Sequence, residues 1–448
     1  MAKVFKRICK GECIMPFKLS NKNTTALAVT VYNEDFAVVK EKRNIEGYNE
    51  EEYVHYMDVS EKIETDSVIV KGLTIQELNF DYDLVEKKKL LKKYIDRTVY
   101  LVDREKDTKQ EYRLLSVDDG LVLEDSKTNE IILDPKEELI LPKLPDGLIV
   151  KPSLIWKVKP SKTDLVDVTY TTGGLKWHSN YVINLKQHTL DLTGWVLLNN
   201  QSGTTFENAQ LKLIAGDVNR VHDSITSLYE KVPYEASMVV QSEANFEEKS
   251  FNDYHLYTLQ GKTTLKNHQE KQITLLDKEN ISFKRYYEYS FGEEQADIIL
   301  EFANTKENHL GLPLPKGKVK VYSEDASDKS LEFIGEDRIE HTPKEEIVKL
   351  SLGQAFDIVC ETRSTDKYKE GKNEYFAYEY VIKNRKDEEI TMVIDHPIRH
   401  IHWQMVDTTH DYKKINANTI EFNIQIPANQ QATIQFKYRV NKSINVNL

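Results

Sequence analysis

Metal chemistry needs donor side chains at fixed spacing, and the densest donor set in this chain lies near its C-terminus. That segment is Asp395-His396-Pro397-Ile398-Arg399-His400-Ile401-His402-Trp403. On an extended strand His400 and His402 point to the same side, as two ligands of one metal would. A catalytic metal also needs a third protein ligand and an open position. Asp395, His410 and Asp411 are the available donors, and the spacing selects none of them. A metal-assisted hydrolase using His400 and His402 is therefore an alternative reading. Surface histidines on a sandwich loop and strand are the plainer one, and we assign no metal ligand.

Other candidates for chemistry are sparser. Asp217 and His178 could each be half of an acid–base pair. There is no Gly-x-Ser-x-Gly elbow and no cysteine within a nucleophile motif. Thr171-Thr172-Gly173-Gly174 lacks the Gly-Lys-Ser/Thr that completes a phosphate loop, so it reads as a tight turn or bulge needing positive φ. Gly311-x-Pro313-x-Pro315-Lys316-Gly317 reads as turn chemistry ahead of a strand over Lys318–Tyr322. Gly335-Glu336-Asp337 could hold a cation, without the oxygen-ligand pattern of a calcium loop. A carbohydrate-binding reading needs Trp177, Trp195 or Trp403 in solvent. The period-two tyrosines Tyr378 and Tyr380 fit cross-strand packing better than a sugar platform. No catalytic residue and no cofactor is expected.

The three cysteines, Cys9, Cys13 and Cys360, are too few and odd in number for a disulfide framework. Cys9 and Cys13 make one C-x3-C where a structural zinc wants four ligands, so we read free thiols in a reducing compartment.

The elements that must position these residues are strands. In Thr419–Pro427, Ile420, Phe422, Ile424 and Ile426 alternate with polar residues, and Ile434, Phe436, Tyr438 and Val440 do so after Pro427-Ala428-Asn429-Gln430. Period two puts one set in a core and the other in water, and the pair is expected to form a hairpin. A second hairpin is expected from Tyr378–Ile382 through Asn384-Arg385-Lys386-Asp387 to Ile390–Ile394. Short strands between turn clusters, with no βαβ rhythm, indicate an all-β protein of sandwiches.

Helix is expected over Tyr82–Ile95 alone, where Leu84, Leu91 and Ile95 share a face. Four short strands follow, from Thr98 to Leu133, in the layout of a small SH3-like barrel. The expected domains are a small β-domain over 1–80, a helix-led barrel over 81–145, a β-sandwich body over 146–370 and a C-terminal immunoglobulin-like sandwich over 371–448. The body carries a polar, weakly periodic insertion near 223–252, expected to be mobile.

The chain has 448 residues, with 61 Lys and Arg against 73 Asp and Glu, a net charge of −12. The first 160 residues carry 27 − 30 = −3 and the rest 34 − 43 = −9, so neither part is basic. That argues against nucleic acid as a partner. Lys87-Lys88-Lys89 with Lys92-Lys93 reads as a solvated helix face. No window approaches the ~20 apolar residues of a spanning helix. The basic start, Met1 to Lys10, runs into Gly11-Glu12-Cys13 and not an apolar segment, so a cytoplasmic location is expected.

The run from Gly194-Trp195-Val196-Leu197-Leu198-Asn199-Asn200 through Leu211-Lys212-Leu213-Ile214-Ala215-Gly216-Asp217 to Asn219 resembles a bacterial domain-of-unknown-function family that includes the mucoidy-inhibitor-A-like proteins. Tyr254–Leu259, Leu312–Val319 and Gly335–Lys344 support it, as do Phe80–Val85 and Leu90–Ile95 upstream. The resemblance runs from about Ala26 to Leu448 and implies a β-rich body with no reaction attached. It also implies an export signal, which the basic start running into Gly11-Glu12-Cys13 does not lead us to expect here. Together these readings lead us to expect a non-catalytic structural or protein-interaction molecule, with a protein partner or a second copy of itself.

Overall fold

A computed structural model describes residues 16–81, 87–104, 108–118, 120–143, 151–216, 218–220, 246–325 and 327–441. Cys9, Cys13, Asp217, most of the polar insertion and the first turn of the expected helix lie outside the described residues. The described chain is almost entirely β, as its alternation requires, and none of its sheets closes into a barrel. It divides into two compact units. One holds Met1–Lys176, Leu198–Ile214 and Thr258–Glu270; the other holds Trp177–Leu197, Ala215–Tyr257 and Lys271–Leu448.

In the first unit, Thr24–Tyr32 and Phe36–Asn44 form an antiparallel pair, and Leu165–Gly173 joins the far side of Phe36–Asn44. Phe206–Ala215 runs parallel to Thr24–Tyr32, with Leu211 opposite Val29 and Leu213 opposite Val31. All four of these side chains are buried, so the register is held by the apolar face. Gly174, at φ +79°, makes the tight turn into the next strand, and a Cβ there would stand 2.6 Å from the carbonyl oxygen of Gln201. The strands expected of a small barrel form a five-stranded antiparallel sheet whose outer members are Ile131–Leu133 and Glu138–Ile140. Val99, Leu101, Leu114 and Leu123 fill its core with Tyr94 and Tyr112. The described part of the helix is Lys87–Lys92, with no buried residue.

A charged cluster sits inside this unit. The Arg43 guanidinium donates from Nε (2.9 Å) and Nη2 (2.6 Å) to Glu41 Oε2, and from Nη1 to the carbonyl oxygens of Leu19 and Met57. The Tyr56 hydroxyl donates to the same carboxylate oxygen at 2.6 Å, and Tyr170 to the other at 3.3 Å. Burial pushes both tyrosines well above the ordinary phenol range, and the neighbouring Glu41 charge adds to it. Burial opposes the Arg43 charge, yet Glu41 and the two tyrosines outweigh it and raise the pKa.

The second unit contains a sheet ordered Gln269–Ser282, Thr189–Asn200, Leu175–Leu185, Gly317–Glu324, Leu331–Ile339. It also contains a nine-stranded sheet. Its order is Trp403–Thr408, Gln431–Asn441, Asn373–Asn384, Ile347–Glu370, Gln295–Ala303, Lys284–Ser290, Ile390–Pro397, Thr419–Ile426, Lys413–Asn416. Inward side chains from distant strands of that order share one core, Tyr380 and Phe436 with Met392 and Phe422. The sheet therefore folds over itself as a sandwich.

Both expected C-terminal hairpins are corrected by this order. Thr419–Ile426 pairs with Ile390–Pro397, while Gln431–Asn441 pairs with Asn373–Asn384. The strands are where alternation put them, but each turn carries the chain across the core from one layer to the other. Period two sets which face of a strand is buried and says nothing of its neighbour. The two turns pack together, with Asn429 N–H donating to the Lys386 carbonyl at 3.0 Å and Asn384 N–H to that of Gln430 at 2.9 Å.

Candidate ligand-binding cleft

The histidines singled out for chemistry do not gather. His400 and His402 lie after the strand Ile390–Pro397 and before Trp403–Thr408, not on an extended strand. The chain bends at Ile398, which is fully buried and whose N–H bonds the Asn418 carbonyl at 2.7 Å. The His400 N–H then turns back to the Ile398 carbonyl at 2.7 Å. The two rings end 6.3 Å apart and tilted by 58°. Among the described residues no three His, Cys, Asp or Glu side chains are grouped to hold a metal ion.

His396 behaves differently from its neighbours, because it is buried in the sandwich core. Its Nδ1 hydrogen-bonds the Tyr380 hydroxyl at 2.7 Å, across the core. Phe291, Tyr378 and Phe436 surround the ring at centroid distances of 4.9, 4.5 and 4.9 Å. Burial pushes its pKa down to about 4, so at neutral pH it is an uncharged packing group.

The acidic triplet Gly335-Glu336-Asp337 lies on a strand with its carboxylates already engaged. Asp337 accepts the N–H groups of Arg338 and Ser351, both at 2.7 Å, and Glu336 pairs with Lys318 at 3.4 Å. Trp177 is buried, whereas Trp195 and Trp403 are half-buried, and Trp403 Nε1 donates to the Ala417 carbonyl at 2.9 Å. Cys360 is a free, half-buried thiol whose pKa burial raises to about 12, far from a reactive thiolate. No helix among the described residues is long and apolar enough to cross a membrane.

The structure instead builds a cleft from residues that the sequence suggests only as a turn and a strand. Leu175–Leu185 and Gly317–Glu324 run parallel, with Ser179 opposite Gly317 and Asn180 opposite Lys318. Leu331–Ile339 then runs antiparallel, setting Arg338 opposite Lys318 and Glu336 opposite Lys320. Val319 and Val321 point into the core, so Lys318 and Lys320, two residues apart, share the outer face. Gly317 is required where it stands, since a Cβ would come within 2.2 Å of the Ser179 carbonyl oxygen.

The loop ahead of that strand is held from several sides. Tyr257 donates to the Pro313 carbonyl at 2.9 Å and Tyr181 to that of Pro315 at 2.7 Å. Ser179 Oγ reaches the carbonyls of Pro315 (3.2 Å) and Lys316 (2.8 Å). The Lys316 N–H donates to His341 Nδ1 at 3.2 Å. The result is an open cleft of about 620 Å³, lined by Lys316, Lys318, Lys320 and Arg338 against the single carboxylate of Glu340, with His178 and Asn180 on its other wall. His178 thus joins the lining of this cleft, while Asp217, the other acid–base candidate, lies outside the described residues. The signal in the sequence was Lys316-x-Lys318-x-Lys320, a period-two row of cations in an acidic chain.

No curated protein matches the chain in sequence. A family model described as a domain of unknown function (DUF4139) matches residues 166–442, which takes in all three strands of the cleft. That match covers more than half of the 448 residues, and the chain belongs to the DUF4139 family.

Proposed function

We propose that this chain is a non-catalytic protein-interaction molecule whose second unit presents surfaces to a protein partner or to a second copy of the chain. The observation that carries this reading is Phe356, which is 92% exposed. Its strand, Ile347–Glu370, is bulged where it passes Gln295–Ala303: Gln295 faces Val359 while Asp297 faces Gln354. A bulge re-aims side chains, and here Ala355 and Ile358 turn inward while Phe356 turns out. Exposed Val359 follows on the same strand. Gly335 packs on Leu352 just before the bulge, and the strand that carries it exposes Leu331, Phe333 and Ile334. Scattered exposed apolar side chains are ordinary, but several large ones on two packed strands mark a contact surface.

On this reading the chain is a mucoidy-inhibitor-A-like protein, supported by the Gly194–Asn219 and Leu312–Val319 blocks, and it works in the cytoplasm, supported by the free thiol of Cys360. A photo-crosslinking residue in place of Phe356, introduced in the native cell, tests the interaction. It should yield a covalent protein adduct that the same residue at exposed Glu207 does not. Equal or absent adducts at the two positions contradict the reading.

A further inference from the structure

We propose that the cleft of Lys316, Lys318, Lys320 and Arg338 binds an extended acidic peptide, a run of alternating Asp or Glu residues in a partner protein. The inference rests on the interaction reading for the existence of a partner, but it concerns a different set of residues from those around Phe356. Its first support is charge. In a chain of net charge −12 the cleft is lined by four cations and the carboxylate of Glu340, with Glu336 beside it on the same sheet face. The Lys318–Glu336 pair takes up one of these, and Lys320 and Arg338 have no ion pair among the described residues. A local positive field on an acidic molecule concentrates acidic ligands there and repels them elsewhere.

The second support is geometry. Side chains two apart on a strand stand about 7 Å apart, and neighbouring strands about 5 Å. The cations are therefore strung along the sheet face and do not converge on one point, which suits a chain of charges better than a single small anion. An extended peptide repeats its carboxylates at the same spacing of about 7 Å on one face. The clamped Pro313–Gly317 backbone holds the Lys316 end of the row in place before any ligand arrives, which lowers the ordering cost of binding. Single-stranded nucleic acid would match the charge but is held by aromatic stacking platforms, and the lining of this cleft contains no Phe, Tyr or Trp.

The test is fluorescence anisotropy of the full chain with a labelled peptide of about ten residues alternating Glu and Ser, at low and moderate salt. The expected result is saturable binding that weakens with salt and falls about tenfold or more in Lys320→Glu/Arg338→Glu. Lys320→Gln/Arg338→Gln should give a smaller loss. Lys320 and Arg338 are both exposed, so thermal melts of both variants should match the unsubstituted chain. A peptide with Gln for Glu should not bind, and Phe356→Asp should bind as the unsubstituted chain does. Undiminished binding in the Glu variant, equal binding of the Gln peptide, or no saturable binding would overturn the proposal. So would polyphosphate or oligothymidylate binding at least about tenfold more tightly than the peptide. Any of these with an intact crosslink at position 356 removes the peptide site and leaves the interaction reading standing.

Discussion

The side-chain amide of Asn384 donates to the carbonyl oxygen of Pro427 at 3.0 Å, joining two turns that are 43 residues apart. The same nitrogen reaches the carbonyls of Glu388 (2.9 Å) and Ile426 (3.1 Å), and Oδ1 accepts the Lys386 N–H at 3.0 Å. Asn384 is fully buried, so one side chain satisfies backbone groups that water cannot reach where both turns cross the sandwich. Asn304 plays a similar part, donating to the carbonyls of Leu312 and Pro343 and accepting the Leu312 N–H.

Asn384→Asp is the sharpest probe of this arrangement. It keeps the shape, removes the donor and sets a carboxylate against three carbonyl oxygens. We expect a loss of about 3 kcal/mol or more, from unsatisfied buried acceptors together with a buried charge. Urea unfolding should show it, with Asn429→Ala, at the exposed edge of the same turn, costing well under half as much. Equal losses would mean that Asn384 is no special joint.

The Arg43–Glu41 pair makes a similar argument in the first unit. Glu41→Gln leaves a buried guanidinium without its counter-charge and should cost about 3–5 kcal/mol. Replacing both, as Glu41→Leu with Arg43→Met, removes the uncompensated charge and should recover much of that loss. Chemical unfolding of the single and double variants checks the order. A double variant less stable than Glu41→Gln would contradict the account.

His396 predicts an acid sensitivity. Its pKa lies at about 4 in the fold against 6.5 when free, and burial is the cause. Above pH 6.5 it is neutral folded or unfolded, and the fold has its full stability. As the pH falls from about 6.5 to about 4, the unfolded chain takes up the proton first, and stability drops by roughly 3 kcal/mol in all. The urea midpoint of the unsubstituted chain should therefore fall more steeply across that window than that of His396→Phe. Parallel slopes would show that His396 is not the group responsible.

Much of the architecture was legible because alternation is a local property. Ile420, Phe422, Ile424 and Ile426 are all buried, as are Ile434, Phe436, Tyr438 and Val440. Pairing was not legible, because it joins residues far apart: Leu213 with Val31, Ser179 with Gly317, and the two arches that looked like hairpins. The cleft was half visible. Lys316, Lys318 and Lys320 stand in a row in the sequence, but Arg338 joins them only through an antiparallel register some twenty residues away. The same-side placement of His400 and His402 holds only on an extended strand, and the bend at Ile398 removes that strand. Glu41 and Arg43 gave no sign of burial, since charged residues at period two usually mark the wet face of a strand.

The most direct test of the central claim is the size of the native assembly that contains this chain, measured by gel filtration of a gentle extract. The account predicts that the unsubstituted chain elutes in a complex larger than its own 52.1 kDa. It predicts that Phe356→Asp, folded as judged by its melt, elutes at a smaller size. Coincident elution of the two at the monomer position would contradict it.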